Sequence, residues 1–91
     1  MASGTIHEEL FGSFSLTSGD FNTAVKQGVW YLGAGADLTN GPANINWDMM
    51  LVLGSGTNVT QIVFAARAAY KIYVRRCTNG NWGAWTGASL T

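Results

Sequence analysis

The sequence predicts a small, mostly β domain, built as an antiparallel sheet or sandwich with at most one short helical turn. Short runs of aromatic and β-branched residues recur along the chain, and such runs are typical of strands. Glycine, asparagine and serine separate the runs, as turns between short strands require. The 91 residues suffice for one domain with a modest core. We interpret residues 1–17 as a polar lead-in and residues 18–91 as this domain.

The first predicted elements of the domain are a helical turn and a strand. Asp20 has a side chain that can cap a helix, and the turn that it begins is predicted to run through Val25 and Lys26. Gly28 ends that turn, because glycine disfavours a continuing helix. The aromatic and β-branched run VWYLG, residues 29–33, then predicts a short strand.

A long loop and an apolar strand follow. Residues 33–46 contain three glycines, three asparagines and the only proline, so no regular structure is predicted there. Loops carry function more often than strands do, which makes this one a candidate binding loop. The next segment, WDMMLVLG, is a predicted strand with apolar residues on both faces. We expect both faces to be covered, by the fold itself or by a neighbouring chain.

The segment VTQIVFAARAAYKIYVRRC, residues 59–77, carries two conflicting signals. Its alanines favour a helix, whereas the β-branched and aromatic residues on either side of them favour strands. We predict two strands joined near residues 66–69. In the second strand Lys71, Tyr73 and Arg75 share one face, which we expect to be solvated or paired with acidic side chains.

The charge restricts the classes of partner. Five basic and five acidic side chains give a formal net charge of zero, whereas sequence-independent binding of nucleic acid or of anionic membranes needs an excess of Lys and Arg. The charges are unevenly placed, since no acid follows Asp48 and four cations lie within residues 67–76. This basic cluster is interpreted either as an ion-paired face or as a contact for acidic sugars or phosphates.

No catalytic, cofactor or metal site is predicted. His7 is the only histidine, so a distant serine or cysteine nucleophile has no imidazole base. The segment His7-Glu8-Glu9 offers fewer ligands than a structural zinc site needs. Asp37 and Asp48 are a weak pattern for the acid and base that cleave a glycosidic bond. We therefore predict a protein that is not an enzyme.

Sequence features also bear on where the chain folds. Cys77 is the only cysteine, so an intrachain disulfide is excluded and nothing indicates an oxidising compartment. The first ten residues lack the basic start and apolar run of a signal peptide. The longest apolar run, MMLVL, is too short to span a bilayer. We expect the chain to fold in a cytoplasm and not to insert into a membrane.

The stretch NGNWGAWTG places Trp82 and Trp85 three residues apart among glycines, which disfavour a helix. Side chains three apart in a regular strand point to opposite faces. Either the strand is buried on both sides, or a bulge at Gly83 redirects one ring. We expect the two rings to fill the core from two sides; the alternative is an exposed indole that stacks on a sugar ring.

Several short motifs follow one another in a distinctive order. They are Asp20-Phe21-Asn22, Gly28-Val29-Trp30-Tyr31, Asn40-Gly41-Pro42 leading to Trp47, Gln61-Ile62, Tyr73-Val74-Arg75 and Trp82-Gly83-Ala84-Trp85. Together, between Ser18 and Leu90, these motifs resemble the pyocin-knob type domain that lies near the ends of phage tail fibres and R-type pyocin fibres.

The resemblance implies a β-rich knob on a homotrimeric fibre, attached through its N-terminal side and used to recognise the surface of a host bacterium. It implies a place in the tail fibre of a virion, after folding in the host cytoplasm, with residues 1–17 as a lead-in or the end of the fibre shaft. The expected partner is a surface glycan, lipopolysaccharide or capsule, bound without a cofactor or metal. The candidate ligand-binding residues are Asn40, Trp47, Lys71, Tyr73, Arg75, Trp82 and Trp85.

Two other functions fit the same sequence. A carbohydrate-binding module of a bacterial enzyme would share the glycine, asparagine and tryptophan content but would be monomeric. A purely structural trimerisation or capping domain of a fibre would share the apolar surface and would bind no glycan.

Overall fold

The computed structural model describes residues 11–67 and 69–90, and nine strands and two 3-10 turns form the regular structure of these residues. The strands are β1 (Gly12–Leu16), β2 (Gly19–Asp20), β3 (Gly28–Leu32), β4 (Leu38–Thr39), β5 (Met49–Ser55), β6 (Asn58–Ala65), β7 (Lys71–Thr78), β8 (Asn81–Trp82) and β9 (Thr86–Ser89). The two 3-10 turns are Phe21–Thr23 and Gly35–Asp37.

One sheet holds seven of these strands, in the order β1, β3, β5, β6, β7, with β8 and β9 both paired to the remaining edge of β7. From β3 onward the pairs are antiparallel, whereas β1 runs parallel to β3. The other two strands, β2 and β4, form a short parallel pair. The prediction of a small, mostly β fold is confirmed, with three differences: the edge strand β1 is parallel, β2 and β4 form a parallel pair, and a second 3-10 turn is present.

Strand β1 lies in residues that we interpreted as a lead-in. Its five residues pair in register with those of β3, and the ring of Phe14 packs on Trp30 with centroids 4.7 Å apart. Because side chains alternate along a strand, Phe14 and Leu16 point toward the core, whereas Ser13 and Ser15 point away. The sheet therefore includes residues 12–16, which the prediction left outside the domain.

One face of the sheet, here called the inner face, is covered by the segments that connect its strands. Phe21 from the first 3-10 turn and Ile45 from the long loop are buried in the same core as the strands. The buried side chains that β5, β6 and β7 point to this face are Met50, Val52, Val59, Gln61, Val63, Ala65, Tyr73, Arg75 and Cys77. The core of the domain therefore lies between the sheet and these connecting segments.

Asp20 caps the first 3-10 turn, as predicted. Its Oδ1 accepts a hydrogen bond of 2.8 Å from the backbone N–H of Asn22. The turn ends at Thr23 and does not extend to Lys26. Beyond the turn, the carbonyl oxygen of Ala24 accepts a hydrogen bond from the side chain of a core residue, Gln61, which also donates to the carbonyl oxygen of Phe21.

The opposite face of the strands, here called the outer face, is apolar but largely uncovered. Strand register arranges ten of its side chains in two rows across β3, β5, β6, β7 and β9. One row is Tyr31, Met49, Phe64, Ile72 and Ala88, and the other is Val29, Leu51, Ile62, Val74 and Thr86. None of the ten is charged. The exposed fractions of Tyr31, Met49, Phe64 and Val74 lie between 37% and 50%.

The remaining elements follow the sequence closely. The segment at residues 59–77 forms two strands, β6 and β7, as predicted. The long loop at residues 33–46, where no regular structure is predicted, contains the 3-10 turn Gly35–Asp37, the two-residue strand β4 and an isolated antiparallel bridge between Ala34 and Asn46. Of the two apolar faces predicted for WDMMLVLG, the fold itself covers the inner one and leaves the outer one exposed in a single chain.

Candidate functional site

Arg75 lies on the inner face in the middle of β7, and only 6% of it is exposed. Its Nε donates a hydrogen bond of 2.8 Å to Oε1 of Gln61, and its Nη2 donates one of 2.8 Å to Oδ1 of Asn22. Gln61, in the adjacent strand β6, is fully buried. Its Nε2 donates to the carbonyl oxygens of Phe21 at 2.7 Å and Ala24 at 3.0 Å. The guanidinium is thereby joined to the segment that covers the inner face.

Trp82 and Trp85 both contact this guanidinium. The central carbon of Arg75 lies 3.9 Å from the ring centroid of Trp82 and 4.7 Å from that of Trp85, close enough for cation–π attraction. Trp85 also meets Phe21 edge to face, with centroids 5.7 Å apart. The expectation that the two rings fill the core from opposite sides is wrong, because both lie half-buried on the inner face around one cation.

A bulge between β8 and β9 explains this placement. Cys77 pairs with Trp82 and Val74 pairs with Thr86, so two residues of β7, 75 and 76, lie opposite three residues of the other segment, 83 to 85. Within the bulge the N–H of Gly83 donates to the carbonyl oxygen of Arg76 at 2.8 Å. The extra residue shifts the alternation of side chains, which brings Trp85 to the same face as Trp82. The bulge is one of the two arrangements that the sequence left open.

Asn40 joins these residues to the long loop. Its side-chain Nδ2 donates to Oδ1 of Asp20 at 2.9 Å, and its carbonyl oxygen accepts from Nε1 of Trp85 at 2.9 Å. The φ of Asn40 is 60°, in the left-handed region that asparagine tolerates better than most residues. One connected group results, here called the Arg75 cluster, and its members are Asp20, Asn22, Asn40, Gln61, Arg75, Trp82 and Trp85.

The electrostatics of the cluster favour a charged pair without a direct ion contact. Burial lowers the pKa of Arg75 to about 10, and the negative charge of Asp20 opposes that shift, so the guanidinium stays charged at neutral pH. The hydrogen bond from Asn40, together with that from the amide of Asn22, holds the pKa of Asp20 below its usual range. Both charges are therefore present at pH 7. Asn22 forms hydrogen bonds with both Asp20 and Arg75, and Asn40 bonds to Asp20 and to Trp85, whose ring contacts the guanidinium.

The two other candidates on β7 do not join the cluster. Tyr73 is buried, and its ring lies against Gly87, where an added Cβ would come within 2.8 Å of the ring. Lys71 is half-buried at the start of the strand. The expectation that the face carrying Lys71, Tyr73 and Arg75 is solvated or paired with acids is wrong. It is the inner face, and the hydrogen bonds of Arg75 go to neutral amide oxygens.

Trp47 is the most exposed of the four tryptophans, at 57%. It lies at the end of the long loop, two residues before β5, and its N–H donates to the carbonyl oxygen of Gly33 at 3.1 Å. The loop thus presents one predicted candidate, Trp47, to solvent and uses another, Asn40, inside the Arg75 cluster.

The structure gives little support to the catalytic and metal-binding patterns considered above. Both carboxylate oxygens of Asp48 accept backbone N–H groups, from Asn46 at 2.9 Å and from Arg67 at 3.4 Å, and the residue is buried. Among residues 11–67 and 69–90, no group of three or more His, Cys, Asp or Glu side chains could hold a metal ion. The segment His7-Glu8-Glu9 lies outside the described residues.

Sequence reasoning missed Gln61 and Asn22 as the partners of Arg75. A signal for Gln61 was present, because it alternates with Val59 and Val63 and is the one polar residue at an inward position of β6. A buried amide requires hydrogen-bond partners, and Arg75, directly opposite Gln61 in the pairing of β6 with β7, is a suitable one. No comparable signal identifies Asn22, which lies in a loop.

The same fold occurs in a solved structure. A fragment of the R1 pyocin fibre of P. aeruginosa, comprising its C-terminal residues 323–701, matches 82% of this chain with a TM-score of 0.65 and 20% sequence identity. This fold is that of a pyocin fibre domain. The resemblance noted in the sequence is thus confirmed at the level of the fold, and the chain corresponds to 21% of the length of the pyocin fibre fragment.

Other comparisons add no further likeness. Comparison with protein-family models and with curated proteins gave no match. In the part of the chain that the structure describes, no helix has the length and apolar character needed to cross a bilayer.

Proposed function

We propose that the chain is the receptor-binding knob of a phage or phage-like tail fibre. As a homotrimer it attaches the particle to a polysaccharide on a bacterial surface, either lipopolysaccharide or capsule, and carries out no chemistry there. The observation that carries this proposal is the fold shared with a pyocin fibre over 82% of the chain. On this proposal the protein folds in the host cytoplasm and acts in the extracellular particle.

The outer face supports the homotrimeric state. Two rows of uncharged side chains cross five strands, and a contiguous exposed apolar surface of this kind marks a site of contact with another molecule. A charged ligand would find no counter-charge in either row. Three copies that turn their outer faces toward a common axis would remove these side chains from water, and each Å² of apolar surface buried would stabilise the assembly by about 25 cal/mol.

The homotrimer is tested by measuring the absolute mass of the purified chain with light scattering on a sizing column. We expect a mass of about three chains that persists on dilution. A mass of one chain at every concentration would contradict the homotrimer and would favour a stand-alone carbohydrate-binding module.

The adhesion step is tested with fluorescently labelled protein and pairs of bacterial strains that differ only in the presence of O-antigen or capsule. We expect the protein to stain at least one parent strain and not its polysaccharide-deficient partner. Equal staining of both members of every stained pair would show that the receptor is something other than the polysaccharide.

A structural trimerisation or capping domain is the second candidate, and the Arg75 cluster favours it. The cluster holds two of the four tryptophans and, among residues 11–67 and 69–90, the only deeply buried cation, and its hydrogen bonds are made within the chain. It therefore serves folding and leaves few groups for a ligand. A stable homotrimer that stains no strain in the panel would support this candidate over the receptor-binding knob.

A further inference from the structure

Residues 44–48, here called the Trp47 turn, combine exposure with an unusual backbone. Trp47 is 57% exposed and has a φ of 54°, while Asn44 has a φ of 61°. For a bulky residue such as tryptophan the left-handed region is a true outlier, and such residues persist only where their surroundings fix them. The indole is therefore held in solvent at a cost in backbone conformation.

Hydrogen bonds on both sides of Trp47 fix its position. The buried carboxylate of Asp48 accepts the N–H of Asn46 at 2.9 Å, and the N–H of Trp47 itself donates to Gly33 at 3.1 Å. Ile45 is buried in the core, and its carbonyl oxygen accepts the N–H of Gly35 at 2.9 Å. The Trp47 turn is thus anchored at each residue from Ile45 to Asp48, and its exposed groups are preorganised.

Two exposed side-chain amides lie within three residues of Trp47 in the chain. The side chains of Asn44 and Asn46 are exposed and make no hydrogen bond within residues 11–67 and 69–90. An aromatic plane can stack on the C–H face of a sugar ring, and amide groups can donate to and accept from its hydroxyls. The carboxylate of Asp48 is occupied by backbone N–H groups and is not available to a ligand.

We propose that the Trp47 turn is the saccharide-binding site of the chain, with Trp47 as the stacking surface and the amides of Asn44 and Asn46 as hydrogen-bonding groups. This inference rests on the proposed function and gives the polysaccharide a place of contact. It also separates two kinds of tryptophan: the rings of Trp82 and Trp85 are occupied by the Arg75 guanidinium, and the ring of Trp47 is open.

The test measures binding to immobilised lipopolysaccharide and capsular polysaccharide from a panel of bacterial strains by biolayer interferometry. The variants are Trp47→Ala, Trp47→Phe and Asn44→Ala. Tyr70→Ala is the matched control, because Tyr70 is also an exposed aromatic residue, at 52%, with a φ of 55°. Circular dichroism and light scattering establish that each variant keeps the fold and the mass of the wild type.

We expect Trp47→Ala to weaken binding by about ten-fold or more, since one aromatic stacking contact contributes roughly that factor. Trp47→Phe keeps an apolar ring and should lose less, Asn44→Ala should lose a smaller factor, and Tyr70→Ala should bind as the wild type does. If Trp47→Ala does not fold, the binding affinities of Trp47→Phe and Asn44→Ala, each compared with that of Tyr70→Ala, decide the question.

Three outcomes would overturn the inference. Wild-type affinity in the Trp47 and Asn44 variants would exclude the Trp47 turn and leave the proposed function intact. A changed mass for Trp47→Ala would mean that the indole contacts a neighbouring subunit. Absence of binding by the wild type to every polysaccharide in the panel would remove the proposed function, and the saccharide site with it.

Discussion

Arg75 and Arg76 are adjacent in β7, and their surroundings are opposite. Arg75 points to the inner face, where two amide oxygens and two indole rings surround it. Arg76 points to the outer face and is exposed beyond the two apolar rows, opposite Thr60. The outer face of this sheet thus has two uncharged rows that stay largely uncovered, while the inner face contains both the hydrophobic core and the buried cation. Burial here depends on which side the connecting segments cover.

The largest expected effect comes from Arg75→Ala. This change leaves Oε1 of Gln61 and Oδ1 of Asn22 without their donor and empties the space between two indoles, so the free energy of unfolding should fall by about 3 kcal/mol. Arg76→Ala is the matched control and should change it by less than about 0.5 kcal/mol. Urea unfolding followed by tryptophan fluorescence measures both. Equal losses in the two variants would mean that the buried hydrogen bonds contribute little.

A charge on the outer face should separate association from folding. Ile62 lies in the middle of an apolar row, and Ile62→Asp should raise the dissociation constant of the proposed homotrimer about 100-fold, because burying an unpaired charge is costly. The single chain should stay folded, since that face is solvated in it. Thr60→Asp is the control, because Thr60 lies in the same strand as Ile62 but opposite Arg76 of β7. This variant should keep the mass of the proposed three-chain assembly. Light scattering and circular dichroism on each variant decide the result, and an unfolded Ile62→Asp would contradict this account of the outer face.

The smallest expected effect is a dependence on acid pH. The pKa of Asp20 is lower in the folded chain than its ordinary value of 3.8, so the folded state gains stability above that value and loses it as the pH falls through and below 3.8. Asp20→Asn removes this titration while keeping a side chain that can cap the turn. Between pH 7 and about pH 3, the melting temperature should therefore fall further in the wild type than in the variant. Parallel melting curves across that range would show that Asp20 does not couple protonation to folding.

The sequence predicted which residues share a face better than it predicted which face is covered. The alternation in β7 correctly groups Tyr73 with Arg75 and separates both from Ile72 and Val74. A period of two carries no information about the side on which the connecting segments pack. Ile72 and Val74 are residue types typical of a core, and Arg75 is a type typical of a surface. The sequence therefore predicts that the Arg75 face is solvated, whereas the structure buries it.

Local signals account for the elements that the sequence predicted, and long-range contacts account for those it did not. The Asp20 cap and the turn between β6 and β7 depend on neighbouring residues. The parallel pairing of β1 with β3 and the position of Trp85 depend on chain segments that meet only in the fold. The exposure of Trp47 belongs to the second group, since the turn is held by the carbonyl oxygen of Gly33 and by the N–H of Arg67, which donates to Asp48.

The strand directions have a consequence for how this domain could be arranged in a longer chain. Strand β1 runs parallel to β3, and the four antiparallel steps from β3 through β5, β6 and β7 to β9 return β9 to that same direction. The backbone therefore enters the sheet where β1 begins, at one end of one edge, and leaves it where β9 ends, at the opposite end of the other edge. Segments joined to the two ends would extend in opposite directions, so the fold can lie in line within a longer chain without reversing the path of that chain.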